Sequence, residues 1–247
     1  MPLRFTDDLM RLLSAALPLL CLPIPALALE VPPVAYPRLP AVASNAEGFV
    51  PDGWRIEQRL DGDLNADKRA DLVLVLRQQD RHNVVEHEGL GISPLDSNPR
   101  LLAVAWSNPD GSYALAAQNH TLIPRHEYPN MSDVFEDGSG GVSIVRGTLQ
   151  VQLYFFSNAG SWSTGSTTFT FRWQDQAFAL IGYDSRSLMR NAGETEALSI
   201  NYSTGRLRRA HGSIEDDRDQ VQWEALPSTK RWTLNSIGDG GAFQPLP

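Results

Sequence analysis

The segment Asp63-Leu64-Asn65-Ala66-Asp67-Lys68-Arg69-Ala70-Asp71 carries side-chain oxygens at its positions 1, 3, 5 and 9. That spacing suits a hard divalent cation. Ca²⁺ takes about six to eight oxygen ligands, commonly alternating Asp and Asn side chains plus a backbone carbonyl. Asp63, Asn65, Asp67 and Asp71 are the expected side-chain ligands, and Arg69 is the expected carbonyl ligand. Three carboxylates in one short loop repel each other unless a cation sits among them. The expected role of the ion is structural, because its binding energy becomes folding energy. The competing reading of the same residues is a solvated turn whose Asp and Asn side chains cap their own backbone.

Other reactive residues form weaker patterns. The histidines are His82, His87, His120, His126 and His211, and none falls in an H-E-x-x-H zinc motif. His82, Glu86, His87 and Glu88 share a polar stretch and read as solvated loop residues. Gly160-Ser161-Trp162-Ser163-Thr164 lacks the final glycine of the G-x-S-x-G nucleophile elbow. No P-loop or G-x-G-x-x-G occurs. Glu194, Glu196, Glu215, Asp216, Asp217 and Asp219 supply carboxylates, but a glycosidase needs two at a defined separation across a sugar. The run 215–219 reads as an exposed acidic turn. Trp162, in the loop-like stretch 158–166, is the best placed aromatic for stacking on a ligand.

Gly62-Asp63-Leu64-Asn65-Ala66-Asp67, followed by Ala70-Asp71-Leu72-Val73-Leu74-Val75, resembles an FG-GAP/VCBS-type repeat. Repeats of that type carry D-x-[DN]-x-D-G-x-x-D, a Ca²⁺ loop between two strands of a propeller blade. The resemblance covers about residues 50–120 and implies a blade-like β unit. Two departures stand out. Lys68 occupies the usual glycine position, where a left-handed turn costs glycine nothing. The motif also occurs once, whereas a propeller needs several blades. The chain as a whole is similar to uncharacterised bacterial secreted proteins that pair one such motif with a β-rich C-terminal region. Trp173 to Tyr183 and Asn201 to Gly205 carry that likeness, which implies no particular activity.

The elements that hold these residues are strands. Asp71 to Leu76 is a short continuous apolar run, as in a strand buried on both faces. Leu101 to Trp106 leads to Asn108-Pro109-Asp110-Gly111, a turn by its proline and glycine. Leu149 to Phe156 and Thr168 to Trp173 alternate with period two. Gln174-Asp175-Gln176 and Ser203-Thr204-Gly205 are the expected turns after them, and Arg231 to Leu234 is the last expected strand. Helix signals are scarce.

Residues 12–29 are apolar, follow Arg4 and Arg11, and contain Pro18, Pro23 and Pro25, which suit a spanning helix poorly. Ala26-Leu27-Ala28 is a cleavage signature, so residues 1–28 read as a secretory signal cut after Ala28. That places the protein in the periplasm or outside the cell. The only cysteine, Cys21, leaves with the signal, so the remaining chain has no disulfide and no thiolate metal site. No later apolar stretch reaches the length of a membrane span. The 247 residues hold 21 Lys and Arg against 29 Asp and Glu, net −8, and no basic run of a nucleic-acid binder.

These readings define an all-β protein of antiparallel meanders and sandwich-like sheets. A Pro-rich extended segment spans 29–51, a propeller-blade-like unit with the Ca²⁺ loop spans 52–125, and a β-rich region spans 140–247, in one domain or two. The expected function is calcium binding at a structural site. It is joined to a non-enzymatic binding or envelope-associated role with a protein or carbohydrate partner. The alternative is a secreted hydrolase acting on carbohydrate or cell-envelope material.

Overall fold

Strand-forming residues recur between turn formers, and the backbone follows them. The computed structural model describes residues 29–138, 140–226 and 231–246. The expected signal peptide lies outside the described residues. The fold is all-β, and its sheets are antiparallel. Val31–Pro247 form one compact unit. Among the described residues, no helix is long and apolar enough to cross a membrane.

The strands are β1 (Val42–Ala43), β2 (Trp54–Gly62), β3 (Asp71–Gln78), β4 (Val84–Val85), β5 (Leu95–Asp96), β6 (Arg100–Ser107) and β7 (Tyr113–Asn119). They continue as β8 (Gly141–Val145), β9 (Thr148–Phe156), β10 (Ser163–Gln174), β11 (Ala177–Met189), β12 (Glu194–Asn201), β13 (Arg206–Ser213) and β14 (Asp216–Ala225). The first sheet has the order β1-β7-β6-β3-β2, with β4 and β5 forming a small separate hairpin. Its four long strands run up and down as an antiparallel meander. The second sheet runs β8 to β14 as an uninterrupted meander.

Turn chemistry explains the hairpins. Gln174 pairs with Ala177, leaving Asp175 and Gln176 as a two-residue link. Both sit at positive φ, 50° and 60°, as the favoured hairpin turn requires. At 108–112 the Asn108 N–H donates to the Ser112 carbonyl at 2.8 Å, and Gly111 has φ 84°. The acidic run 215–219 is not one turn: Asp216 to Asp219 begin β14.

Burial divides along the first sheet. Val73, Val75, Leu102 and Val104 pack toward Leu149, Val151, Phe169 and Phe171 of the second sheet. Leu72, Leu74, Leu76 and Leu101 pack on the other face against Leu39, Phe49 and Trp54. Two covered faces are why β3 and β6 read as continuous apolar runs. The Pro-rich segment supplies one cover, adding β1 and a 3₁₀ turn at Glu47–Phe49. The C-terminal stretch 231–246 adds Trp232, Leu234 and Ile237 to the inter-sheet core. Arg231 to Leu234 makes only an isolated bridge, Ala179 to Thr233, rather than the expected strand. The Leu234 carbonyl accepts from the Asn119 side-chain amide at 2.6 Å, so a side chain takes the place of a ladder partner there.

Two arginines lock the layers together. Arg100, buried, donates to both Glu57 carboxylate oxygens and to Asp133 at 2.9 Å. Arg125 donates to the Ser97 carbonyl, to Pro32 O at 2.6 Å and to Asn83 Oδ1 at 2.9 Å. It thereby pins the N-terminal segment to the turns around β4 and β5.

Candidate functional sites: an acidic loop and a sheet-face cleft

The acidic loop joins β2 to β3. Ala66 and Lys68 sit at φ 66° and 68°, in the left-handed region. Lys68 thus takes the conformation that glycine supplies most easily. Each acidic side chain organises the backbone. Asp63 accepts from the Ala66 N–H at 2.7 Å and the Lys68 N–H at 2.9 Å. Asn65 Oδ1 accepts from Asp67 N–H at 3.0 Å, and Asp67 Oδ1 from Arg69 N–H at 2.8 Å. Asp71 is fully buried. Its oxygens accept from Leu64 N–H at 2.8 Å and Ser107 N–H at 3.2 Å, tying the loop to the end of β6. Burial pushes its carboxyl up from the ordinary range, against the pull of those two bonds and with the help of Asp67 and Asp63.

The Arg69 side chain is the feature that sequence reading missed. Its guanidinium lies on Asp67 Oδ2, and its Nε donates to the Ser107 carbonyl at 2.9 Å. The sequence reading assigned only its carbonyl. A cation placed inside an acidic loop was the available signal. Hard oxygens at alternate positions fit Ca²⁺ by chemistry. Among the described residues, however, no three Asp, Glu, His or Cys side chains gather into a group ready to hold a metal. Arg69 is the positive charge on Asp67, so an ion can use that oxygen only after the guanidinium leaves.

The second site is a cleft of about 1290 Å³. One wall is a face of the second sheet; the other includes residues 123–128 and 239–243. The register orders the sheet wall. Phe169, Tyr183, Ile200 and Leu207 form one cross-strand row, and all are buried. The next row on this face is Thr167, Ser185, Leu198, Arg209 and Gln222. The row beyond is Ser187, Glu196, His211 and Gln220. One continuous face therefore turns from core to polar cleft wall. On the opposite side Tyr36 stacks on His120, centroids 4.2 Å apart, and His126 Nε2 lies 2.7 Å from Met131 O.

Sequence-noted residues outside these sites do not assemble. His82 pairs with Asp80, while His87 bonds the Ile92 carbonyl. Trp162 is exposed, with the Arg190 guanidinium 5.7 Å from its ring and 4.3 Å from Phe156. Ser187, Glu196 and His211 share a row, but Glu196 stands between the other two. Strands lie about 4.8 Å apart, so serine and histidine are two spacings from each other. A catalytic histidine must hydrogen-bond the serine it activates. No family model matches the chain, and neither the curated proteins nor the solved structures searched give a match.

Proposed function

We propose that this is an exported, non-enzymatic binding protein whose ligand occupies the cleft on the second sheet. The observation that carries the reading is the sheet face itself. Its rows change from buried Phe169, Tyr183 and Ile200 to half-buried Ser187 and exposed Glu196 and His211 without a break in register. The ladder fixes the order and spacing of these polar groups along the wall, strand by strand. Export rests on the Ala26-Leu27-Ala28 signature. A serine–histidine nucleophile has less support, because the row order keeps His211 away from Ser187. Incubation with cell-wall and plant polysaccharides is expected to release no reducing ends; release would replace this reading with the hydrolase one.

The acidic loop is the proposed structural Ca²⁺ site, and its likeness to FG-GAP/VCBS loops is part of the same proposal. Asp63, Asn65, Asp67, Asp71 and the Arg69 carbonyl are the groups to hold the ion. The ion would supply positive charge that braces β2 to β3. The turns at Ala66 and Lys68 already coil the loop, which lowers the ordering cost of binding. Thermal unfolding after EGTA stripping tests this. Added Ca²⁺ is expected to raise Tm, and Arg69→Gln to enlarge the rise by freeing Asp67. No rise in either form would leave the loop a self-contained turn.

A further inference from the structure

We infer that the cleft takes a neutral oligosaccharide, an inference that rests on the binding reading above. Charge is the first argument. The chain is net −8, yet both signs line the cleft, with Arg125 and Arg209 beside Glu127, Glu196 and Asp239. A site for an ionic ligand collects one sign of charge. A lining of both signs sets donors beside acceptors, and a hydroxyl group uses both.

The arrangement of the wall is the second argument. Ser187, Glu196, His211 and Gln220 stand side by side on successive strands, so a chain of hydroxyl-bearing rings meets a polar partner at each strand. Phe155, Leu198 and Phe243 add half-buried apolar surface to the same cleft. Such surface suits the C–H faces of sugar rings, with Tyr36 and Tyr128 at hand as amphipathic rings. At about 1290 Å³ the cleft exceeds the roughly 300–1,000 Å³ of sites for drug-sized ligands, which favours several rings over one.

A peptide gains less here. Extended peptides add to a sheet edge through main-chain hydrogen bonds. β11, β12 and β13 each have a neighbour on both sides, so along most of the wall a peptide meets side chains alone, and the open edge lies at the rim, on β14 with Gln220 and Gln222.

A glycan array of neutral and acidic oligosaccharides, followed by calorimetry on the hits, tests the inference. Lauroyl lysophosphatidylcholine and a hexapeptide pool serve as the other ligand classes. Saturable binding of a neutral oligosaccharide is expected. Glu196→Gln and Gln222→Ala, both at exposed positions, should each weaken it about tenfold while Tm stays unchanged. Binding confined to acidic glycans, the lipid or the peptides overturns the sugar inference and leaves the binding reading standing. Neutral-sugar binding that both variants leave intact places the sugar elsewhere and overturns it too. Binding of nothing in the panel overturns both.

Discussion

The two sheets share antiparallel construction and differ in how they are covered. The first is packed on both faces, by the second sheet and by the Pro-rich segment. The second is covered over part of one face; beyond that cover Glu196, Arg209 and His211 are exposed. Covering sets the sequence: β3 reads Leu-Val-Leu-Val-Leu at 72–76, while β12 and β13 mix charges with apolar residues. It also sets the work each sheet does. Burial on both faces serves stability, because each apolar side chain leaves water. A face left open can hold polar groups in fixed order at little cost to the fold, which is why the proposed binding role falls on the second sheet.

The largest effects should come from the first sheet's covers. Phe49 is 1% exposed and plugs the outer face. Phe49→Ala is expected to cost about 3–5 kcal/mol in denaturant unfolding. A cost near zero would make the N-terminal segment a loose arm and erase the contrast between the sheets. Arg100→Ala should cost somewhat less, about 2–4 kcal/mol, because it strips half-buried Asp133 of its ion-pair partner while Glu57 keeps Arg77.

The Arg100 cluster also has a pH signature. Burial works against ionisation of Asp133, but the hydrogen bond and charge of Arg100 outweigh it and hold the carboxyl below the ordinary range. A depressed pKa gives stability that is present above the unfolded-state value, about 3.9, and is lost as pH falls through the folded value. Unfolding free energy should therefore drop between about pH 4 and lower pH in the wild type. Arg100→Ala should flatten that drop. An unchanged acid limb in the variant would assign acid sensitivity to other carboxylates.

What the sequence shows of this contrast follows from range. Alternation in Thr168 to Trp173 and the turns at Asn108–Gly111 and Asp175–Gln176 are local, and all were readable. The double cover of β3 was readable as an apolar run, but its second cover was not. Leu39 and Phe49 meet Leu74 and Leu101 only after the chain has folded back. The cleft was invisible for the same reason. Its polar rows draw on β11 to β14, and only the register shows that Ser187, Glu196 and His211 are neighbours. The acidic loop was legible because its residues are contiguous. The Arg69 guanidinium was not, since its second anchor is Ser107 O, on another strand.

A smaller effect belongs to the loop. If Ca²⁺ binds the folded chain alone, stability rises by RT ln(1 + [L]/Kd), about 2.7 kcal/mol at a hundredfold excess over Kd. For a domain of this size each kcal/mol moves Tm by roughly 2–4 °C. The loop lies at one end of β2 and β3, so the rise adds to the first sheet's stability. Asp67→Ala should remove it, and a persistent Ca²⁺ shift would move the ion to other ligands.

The smallest effects on stability should come from the open face. Gln222→Ala and Glu196→Gln change side chains that are exposed and have no hydrogen-bond or ion-pair partner among the described residues. Each is expected to shift unfolding by under about 0.5 kcal/mol. Arg209→Ala differs slightly, since Arg209 donates to Glu224 at 3.1 Å, but that pair is solvent-exposed and worth little. Urea titrations of the three variants beside Phe49→Ala measure the contrast between the sheets directly. Equal losses on the two sheets would mean that the polar rows are part of the fold's support. Near-zero losses on the second sheet would show that Glu196, Arg209 and Gln222 are not held there by the needs of the fold, as the proposed binding role expects.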